Sequence, residues 1–183
     1  RALALNERFS CVAGRTAIRR NAYRFGLYDR LGSTASAADL ACDLMRFADD
    51  RDLRDEPFTT FAASFVDPVP ADEEEFESLL WATLQHLNDA DVEPWAADAQ
   101  PEPDDPAFSF SFNGIGFFIV GLHARSSRFA RRFAWSTLVF NPHAQFERLR
   151  QEGRYGRFRD VIRTRDVNLQ GMPNPMLRDF GEE

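Results

Sequence analysis

The sequence contains no lysine, so all 22 of its basic side chains are arginine. Each positive charge is therefore carried by a planar guanidinium, which suits paired hydrogen bonds to carboxylates and phosphates. Cys11 and Cys42 are the only cysteines, too few for a disulfide framework. No apolar run reaches the roughly 18 residues that cross a bilayer. These shortages argue against a disulfide-rich secreted scaffold and against a membrane protein, and they predict a cytoplasmic location.

The familiar catalytic and nucleotide-binding signatures are missing as well. There is no Walker-type glycine loop, no GxSxG elbow, no paired CxxC and no HExxH. The net charge of −7 argues against non-specific binding to nucleic acid. The charge is uneven, because residues 49–106 hold 18 acids and two arginines, whereas residues 107–170 hold 11 arginines and four acids. Either these halves complement each other in the fold, or some arginines bind an anionic ligand.

Length and composition predict a single domain over residues 1–183. A hydrophobic content of 44%, with 18 phenylalanines, argues against disorder. A chain of 183 residues is long enough to bury a substantial core. Because the chain starts at Arg1, we expect further residues to precede it in the whole protein.

Apolar spacing predicts three helices in the first half of the chain: residues 13–20, a helix from about Ser36, and a helix capped by Asp72. Cys42 lies beside the apolar stripe of the second helix and is expected to be a buried, inert thiol. Residues 58–66 are typical of a strand. The apolar residues between 23 and 28 fit a helix and an extended chain equally.

The chain is organised around residues 108–150, which contain the densest apolar strands and two of the three histidines. Alternating phenylalanines at 108–112 predict a strand, and Asn113-Gly114 predicts a hairpin turn. The apolar run at 117–122 predicts a central strand covered on both faces. His123 follows that strand, and a short arginine-rich helix is expected next.

Residues 137–140 predict a further strand. Asn141-Pro142 is typical of a helix start, which places His143 in the first helical turn. A hairpin within the sheet excludes a purely alternating parallel fold. The sequence therefore predicts an α+β domain with a mainly antiparallel sheet of about four strands packed with helices.

The plausible metal ligands are His123 and His143, with Cys11 as a third. A single histidine at a strand end is more often a structural hydrogen-bonding residue, and these residues are too few for a closed zinc site. One histidine is nevertheless sufficient as the proximal ligand of a haem. Arg128, Arg131 and Arg132 follow at helical spacing, so they are expected to share one face and to pair either with haem propionates or with the acidic half.

Several segments resemble the YqcI/YcgG family, and the resemblance covers nearly the whole chain. The matching segments are Phe58-Thr-Thr-Phe61, Leu79-Leu-Trp81, Phe108-Ser-Phe-Ser-Phe112, Phe117-Phe through Gly121-Leu-His123, Ser127-Arg-x-Ala-Arg-Arg-Phe133, Leu138-Val-Phe-Asn-Pro-His143-x-Gln-Phe-Glu147, Ile162-Arg-x-Arg-Asp166, Leu169-Gln-Gly171 and Asn174-Pro-Met-Leu177. Two departures are Ala124, where the family usually has proline, and a chain end at Glu183, which we expect to lack the family's C-terminal tail.

The resemblance implies a haem-dependent monooxygenase, since the family includes haem-dependent N-hydroxylases of guanidino compounds, such as arginine or the guanidine in guanitoxin biosynthesis. On that basis we expect haem b, with iron, and dioxygen as a partner, together with an electron donor that the sequence does not identify. His123 is the expected iron ligand and Arg128, Arg131 and Arg132 the expected propionate ligands. His143 is the alternative iron ligand or a distal hydrogen-bond donor, and a Cys11 thiolate is a third possibility.

A cationic guanidine or amine substrate requires carboxylate partners. Glu147 and Asp166 are the candidates, although each could instead pair with a neighbouring arginine. Glu147 and His143 are the expected catalytic residues, because they share a helix face at i and i+4. The expected substrate-binding residues are Asn141, Gln145, Glu147 and Asn174.

Two other functions remain open at this point. One is a non-haem metal enzyme in which His123, His143 and a carboxylate such as Glu147 form a facial triad. The other is a non-enzymatic binding protein whose arginine-rich face meets an anionic partner.

Overall fold

The computed structural model describes residues 12–50 and 56–172. Its helices and strands, in chain order, are α1 (Val12–Arg19), β1 (Tyr23–Arg30), α2 (Thr34–Ala48), β2 (Thr60–Asp67), α3 (Glu73–Ala90), β3 (Phe110–Phe112), β4 (Ile115–Leu122), β5 (Ser136–Pro142), α4 (Ala144–Gln151) and α5 (Tyr155–Gln170). None of these helices is long and apolar enough to span a membrane.

The strands form one five-stranded sheet in the order β1-β2-β5-β4-β3. β1 and β2 are parallel, and the other three pairings are antiparallel. The predicted α+β fold with a mainly antiparallel sheet is confirmed, with five strands rather than about four. The additional strand is β1, where spacing alone did not distinguish a helix from an extended chain. It lies at the edge of the sheet and is joined to β2 through α2.

One face of the sheet packs against α2 and α3 and forms the main core. Its largest fully buried side chains include Leu40, Leu44, Phe65, Leu138 and Phe140. The predicted cap of α3 is confirmed, because the side chain of Asp72 accepts a hydrogen bond from the backbone of Glu75 at 2.9 Å. The first turns of α3 lie near the end of β4, where Phe76 stacks on His123.

The hairpin between β3 and β4 is also confirmed. Asn113 and Gly114 have φ angles of 53° and 68°, the left-handed conformation that a tight turn of this kind requires. β4 lies inside the sheet, between β5 and β3, but the expectation that it is covered on both faces is wrong. β3 pairs with β4 only at residues 115–117, so most of β4 lacks a neighbour on one side, and residues 119–122 are half-buried.

Cys42 was predicted to be buried and is exposed. The buried residues of α2 are Ser36, Ala37, Leu40, Ala41, Leu44 and Phe47. Cys42 follows Ala41 by one position, which is about 100° around a helix. That rotation carries its thiol from the sheet-facing stripe to the solvent side.

Candidate functional sites at opposite ends of the sheet

The two histidines of the central segment lie at opposite ends of the sheet. β4 and β5 are antiparallel, and Phe117 pairs with Pro142 while Leu122 pairs with Thr137. His143 therefore lies beside the beginning of β4, where its backbone N–H donates to Gly116 O at 2.7 Å. His123 follows the other end of the same strand, seven residues from Gly116. At about 3.3 Å per residue, the two histidines are roughly 20 Å apart.

His123 is buried against the first turns of α3. Its ring stacks on that of Phe76, with centroids 4.5 Å apart and planes at 11°, and the residue is only 3% exposed. Its Nδ1 atom has no hydrogen-bond partner among the described residues. Burial lowers the pKa of His123, and the nearby negative charge of Glu73 opposes this shift only in part. The imidazole is therefore favoured in its neutral form, the form that ligates metals.

The Glu73 carboxylate accepts hydrogen bonds from the loop that follows His123. Its Oε1 atom accepts hydrogen bonds from the backbone N–H and hydroxyl of Ser127, both at 3.1 Å, and from the hydroxyl of Ser126 at 3.3 Å. These bonds, with the backbone N–H of Ser127 first, lower the pKa of Glu73. An ionised carboxylate at the start of α3 thus fixes the backbone next to His123, where the helix dipole also favours negative charge.

The predicted arginine-rich helix is a single three-residue 3-10 turn, Phe129–Arg131. The three arginines consequently do not share one helical face, and each has a different environment. Arg128 pairs with Asp166 of α5 at 2.5 Å, in a pair whose side chains are 11% and 4% exposed. Arg132 donates from Nε to Ser126 O at 2.7 Å and lies over the ring of Phe129.

Arg131 differs from the other two because its guanidinium makes no hydrogen bond or ion pair with any described residue. Burial and the neighbouring Arg128 lower the pKa of Arg131, and the carboxylates of Glu73 and Asp166 offset this only in part. We use the name His123 cluster for Glu73, Phe76, His123, Arg128, Arg131, Arg132 and Asp166. Within the described residues, the cluster contains a buried imidazole nitrogen that has no hydrogen-bond partner and a desolvated guanidinium that forms no ion pair.

The other end of the sheet contains an open cavity of about 690 Å³ beside His143. We call it the His143 groove, and its lining includes Asp98, His143, Glu147, Arg148, Arg150 and Gln151. His143 is 2% exposed and forms the floor. Its Nδ1 atom lies 3.4 Å from Asp98 Oδ2 and its Nε2 atom 3.3 Å from Glu147 Oε1, so a carboxylate stands on either side of the ring.

The two carboxylates of the groove differ in their partners. Glu147 pairs with Arg150, three residues further along α4, and Arg150 also lies 4.2 Å over the ring of Tyr155. This is the intrahelical pairing that was one of the two alternatives for Glu147. The side chain of Asp98 is 56% exposed and contacts only His143 among the described residues. Asp98 is thus the carboxylate of the groove that pairs with no described arginine.

Asn141 and Gln145, both predicted to bind substrate, bond to the protein itself. Asn141 Nδ2 donates to Phe118 O at 3.2 Å, and its Oδ1 accepts from the hydroxyl of Thr60 at 3.1 Å. The side chain of Asn141 therefore bonds across the sheet instead of capping a helix. β5 continues through Pro142, and His143 occupies the N-cap without a side-chain capping bond. Gln145 Oε1 accepts from the backbone N–H of Thr59 at 2.8 Å.

The predicted site residues thus fall into two separate groups. The cofactor candidates His123, Arg128, Arg131 and Arg132 come together, with Asp166, in the His123 cluster. The catalytic candidates His143 and Glu147 come together in the His143 groove. Asn174 and Cys11 lie outside the described residues.

A facial triad that uses both histidines is incompatible with this separation. In the described ranges 12–50 and 56–172, no group of three or more histidine, cysteine or acidic side chains is placed to hold a metal ion. The non-haem alternative built on His123, His143 and Glu147 is therefore wrong as stated.

Asp98, Glu73 and Phe76 were not predicted as site residues. Glu73 lies in the acidic first turn of α3, and Phe76 is one of the buried residues of that helix. No local pattern distinguishes them from other helix residues, because their roles depend on how α3 crosses the end of β4. Asp98 belongs to a loop with many acids, where only the folded structure brings it to His143.

Comparison with known proteins gives a consistent assignment. The sequence pattern of the YqcI/YcgG family matches residues 1–183. The chain is 28% identical over 155 residues to "Uncharacterized protein YqcI" of Bacillus subtilis, covering 82% of this chain. It is 28% identical over 177 residues, 91% of the chain, to a Streptomyces lavendulae protein named "Putative N(omega)-hydroxy-L-arginine synthase DcsA". It is also 25% identical over 183 residues, 96% of the chain, to "Uncharacterized protein YcgG" of Bacillus subtilis.

These matches span 61%, 65% and 72% of the lengths of the three relatives, in the same order. No solved structure matches the chain.

Proposed function

The chain belongs to the YqcI/YcgG family, and from this membership we propose that it is a haem-dependent monooxygenase that hydroxylates a nitrogen of a guanidino or amine compound such as arginine. The name of the Streptomyces relative supports N-hydroxylation of arginine. The observation that carries the haem assignment is the His123 cluster. Among the described residues, it offers one buried imidazole nitrogen without a hydrogen-bond partner, next to an arginine that forms no ion pair with an acidic side chain.

The residue types of the cluster support the haem proposal. His123 contributes an imidazole whose Nδ1 atom bonds to no described residue, and stacking on Phe76 fixes the plane of its ring. Arg131 is the available cation for a propionate, because Arg128 is already paired with Asp166 and Arg132 with a backbone carbonyl. The proposal therefore assigns the iron to His123 and one propionate to Arg131, and it reduces the expected propionate set from three arginines to one.

Bound haem supplies the activation of dioxygen. One oxygen atom is inserted into an N–H bond of the substrate and the other leaves as water, using two protons and two electrons from a separate donor. The chain itself keeps His123 neutral through burial and fixes the neighbouring loop through Glu73. Glu147 lies at the other end of the sheet, so it does not hold the reacting nitrogen of a substrate at His123. Asp166 is the carboxylate candidate inside the His123 cluster.

The test is a haem titration of the purified protein, followed by absorption spectroscopy. The parent protein should develop a Soret band, and His123→Ala should lose it or bind haem far more weakly. The matched controls are His143→Ala and His86→Ala, which remove the other two histidines and should leave the band unchanged. Loss of the band in His143→Ala, with His123→Ala unaffected, would place the iron at the wrong end of the sheet for this proposal.

The reaction is tested separately with the haem-loaded protein, arginine and a chemical reductant. The expected product is heavier than arginine by one oxygen atom, and mass spectrometry with labelled dioxygen identifies its source. A Soret band without product would retain the haem assignment and reject arginine as the substrate.

A further inference from the structure

The His143 groove contains an aspartate that pairs with no described arginine and an arginine that pairs with no described acid. Among the described residues, the polar contact of the Asp98 side chain is with His143, at 3.4 Å. Arg148 is exposed on α4, lines the same cavity, and makes no ion pair with any residue of the described ranges. The other two charges, Glu147 and Arg150, are paired with each other. The groove thus presents one carboxylate and one guanidinium to a ligand.

We infer that the His143 groove is a binding site for a zwitterionic small molecule that carries both a cationic N–H group and a carboxylate. Asp98 accepts hydrogen bonds from the cation, and Arg148 donates to the carboxylate in the two-pronged geometry that guanidinium groups favour. The cavity of about 690 Å³ falls within the size range of small-molecule sites, about 300–1,000 Å³.

His143 and the Glu147–Arg150 pair form an ordered part of the groove lining. His143 is enclosed, with its Cβ packed close to Gly116, and its ring nitrogens face Asp98 and Glu147. Arg150 is held between Glu147 and the ring of Tyr155. A ligand therefore meets an ordered floor and needs to order only two side chains, Asp98 and Arg148, which lowers the entropic cost of binding.

The site is separate from the proposed haem centre. It lies at the opposite end of the sheet, roughly 20 Å from His123 by the rise of a strand, and its residues take no part in the assignment of iron or propionate. The inference therefore does not rest on the proposed function, and its test requires no haem.

The test is isothermal titration calorimetry of the full chain, at low ionic strength, with three probes. 4-Guanidinobutyrate carries a guanidinium and a carboxylate, agmatine carries cations only, and butyrate carries a carboxylate only. The parent protein should bind 4-guanidinobutyrate more tightly than either of the other two. Asp98→Asn should weaken the binding of 4-guanidinobutyrate and of agmatine by up to about five-fold, the range expected for a partly exposed ion pair.

Arg148→Gln should weaken the binding of 4-guanidinobutyrate by a similar factor and leave the affinity for agmatine unchanged. The matched controls are Asp104→Asn on the same loop and Arg157→Gln on α5, both exposed and outside the lining, and both should bind as the parent does. Thermal unfolding of each variant checks that the fold is retained, and a ligand-induced shift of the His143 ring signals in the parent places the ligand in the groove.

Two results would overturn the inference. One is a parent protein that does not bind 4-guanidinobutyrate at millimolar concentration. The other is unchanged affinity for 4-guanidinobutyrate in both Asp98→Asn and Arg148→Gln. Either result leaves the haem titration unaffected, so failure here and failure of the proposed monooxygenase activity are distinguishable.

Discussion

The ring of Phe76 lies parallel to the imidazole of His123, with 4.5 Å between the two centroids. Gly121 makes this arrangement possible, because a Cβ atom at that position would lie 2.4 Å from Cε1 of Phe76. The absence of a side chain two residues before His123 thus fixes how closely α3 approaches the end of β4.

Gly121→Ala is predicted to displace Phe76 and, with it, the ring of His123. Overpacking of this kind typically costs about 1–3 kcal/mol of unfolding free energy, and chemical denaturation measures it. The matched control is Gly156→Ala in α5, where no atom lies within 4 Å of the added methyl group. Because alanine is the better helix former, the control should gain about 0.5–1 kcal/mol. Equal stability of Gly121→Ala and the parent would contradict this account.

Arg128→Ala is predicted to destabilise the haem-free protein strongly. It leaves the carboxylate of Asp166, whose side chain is 4% exposed, without its cation, and breaking a buried pair in this way costs about 3–5 kcal/mol. Replacing both partners by apolar residues, as in Arg128→Met with Asp166→Leu, should recover most of the loss. Denaturant unfolding of the single and double variants measures the difference.

Arg131→Ala is predicted to lower the haem affinity without lowering the stability of the haem-free protein. Because Arg131 makes no ion pair with the described residues and its pKa is lowered by burial, its removal should leave the stability of the haem-free protein unchanged or raise it. Its haem affinity, measured by spectroscopic titration, should fall. A large loss of haem-free stability in this variant would show that the cation serves the fold.

As the pH falls, the first predicted loss of folding stability comes from protonation of His123. Burial lowers its pKa in the folded state, so the unfolded state takes up a proton more readily. Stability should therefore fall from about pH 6.5, the ordinary pKa of histidine, until the pH passes the folded value. His123→Gln should flatten this part of a plot of melting temperature against pH, whereas His86→Gln should not.

A second loss of folding stability is predicted at lower pH, from protonation of Glu73. Its folded pKa lies below the usual value because Ser127 and Ser126 donate to the carboxylate. The stability that Glu73 contributes is thus fully present above about pH 4.3, the ordinary pKa of glutamate, and disappears as the pH falls through the folded value. Glu73→Gln should remove this step, and Glu74→Gln, one position along the exposed start of α3, should retain it.

Much of the fold could be predicted from local patterns. The cap at Asp72, the turn at Asn113-Gly114 and the apolar stripe of α2 each depend on residues close in sequence, and all three are observed. The exposure of Cys42 was missed by one position. An apolar stripe defines a helix face only to within about one residue, and one position changes the outcome from buried to exposed.

The candidate site was harder to predict because it depends on how strands pair. Each histidine was correctly placed after a strand, but the antiparallel pairing of β4 with β5 sends His123 and His143 to opposite ends. Pairing direction and strand order are properties of the whole sheet, and no local pattern records them. The same holds for Asp98, which a loop brings to His143 from 45 residues away.

The position of β5 has a consequence for how the chain folds. The last strand in the sequence lies between β2 and β4, and the contact from Thr60 to Phe140 spans 80 residues. Contacts of such long range slow folding, because a large loop must close before they form. During synthesis, β2 emerges with one edge unpaired until β5 follows, and an unpaired edge is a site of aggregation. A nascent chain interrupted before residue 136 should therefore depend on chaperones to remain soluble.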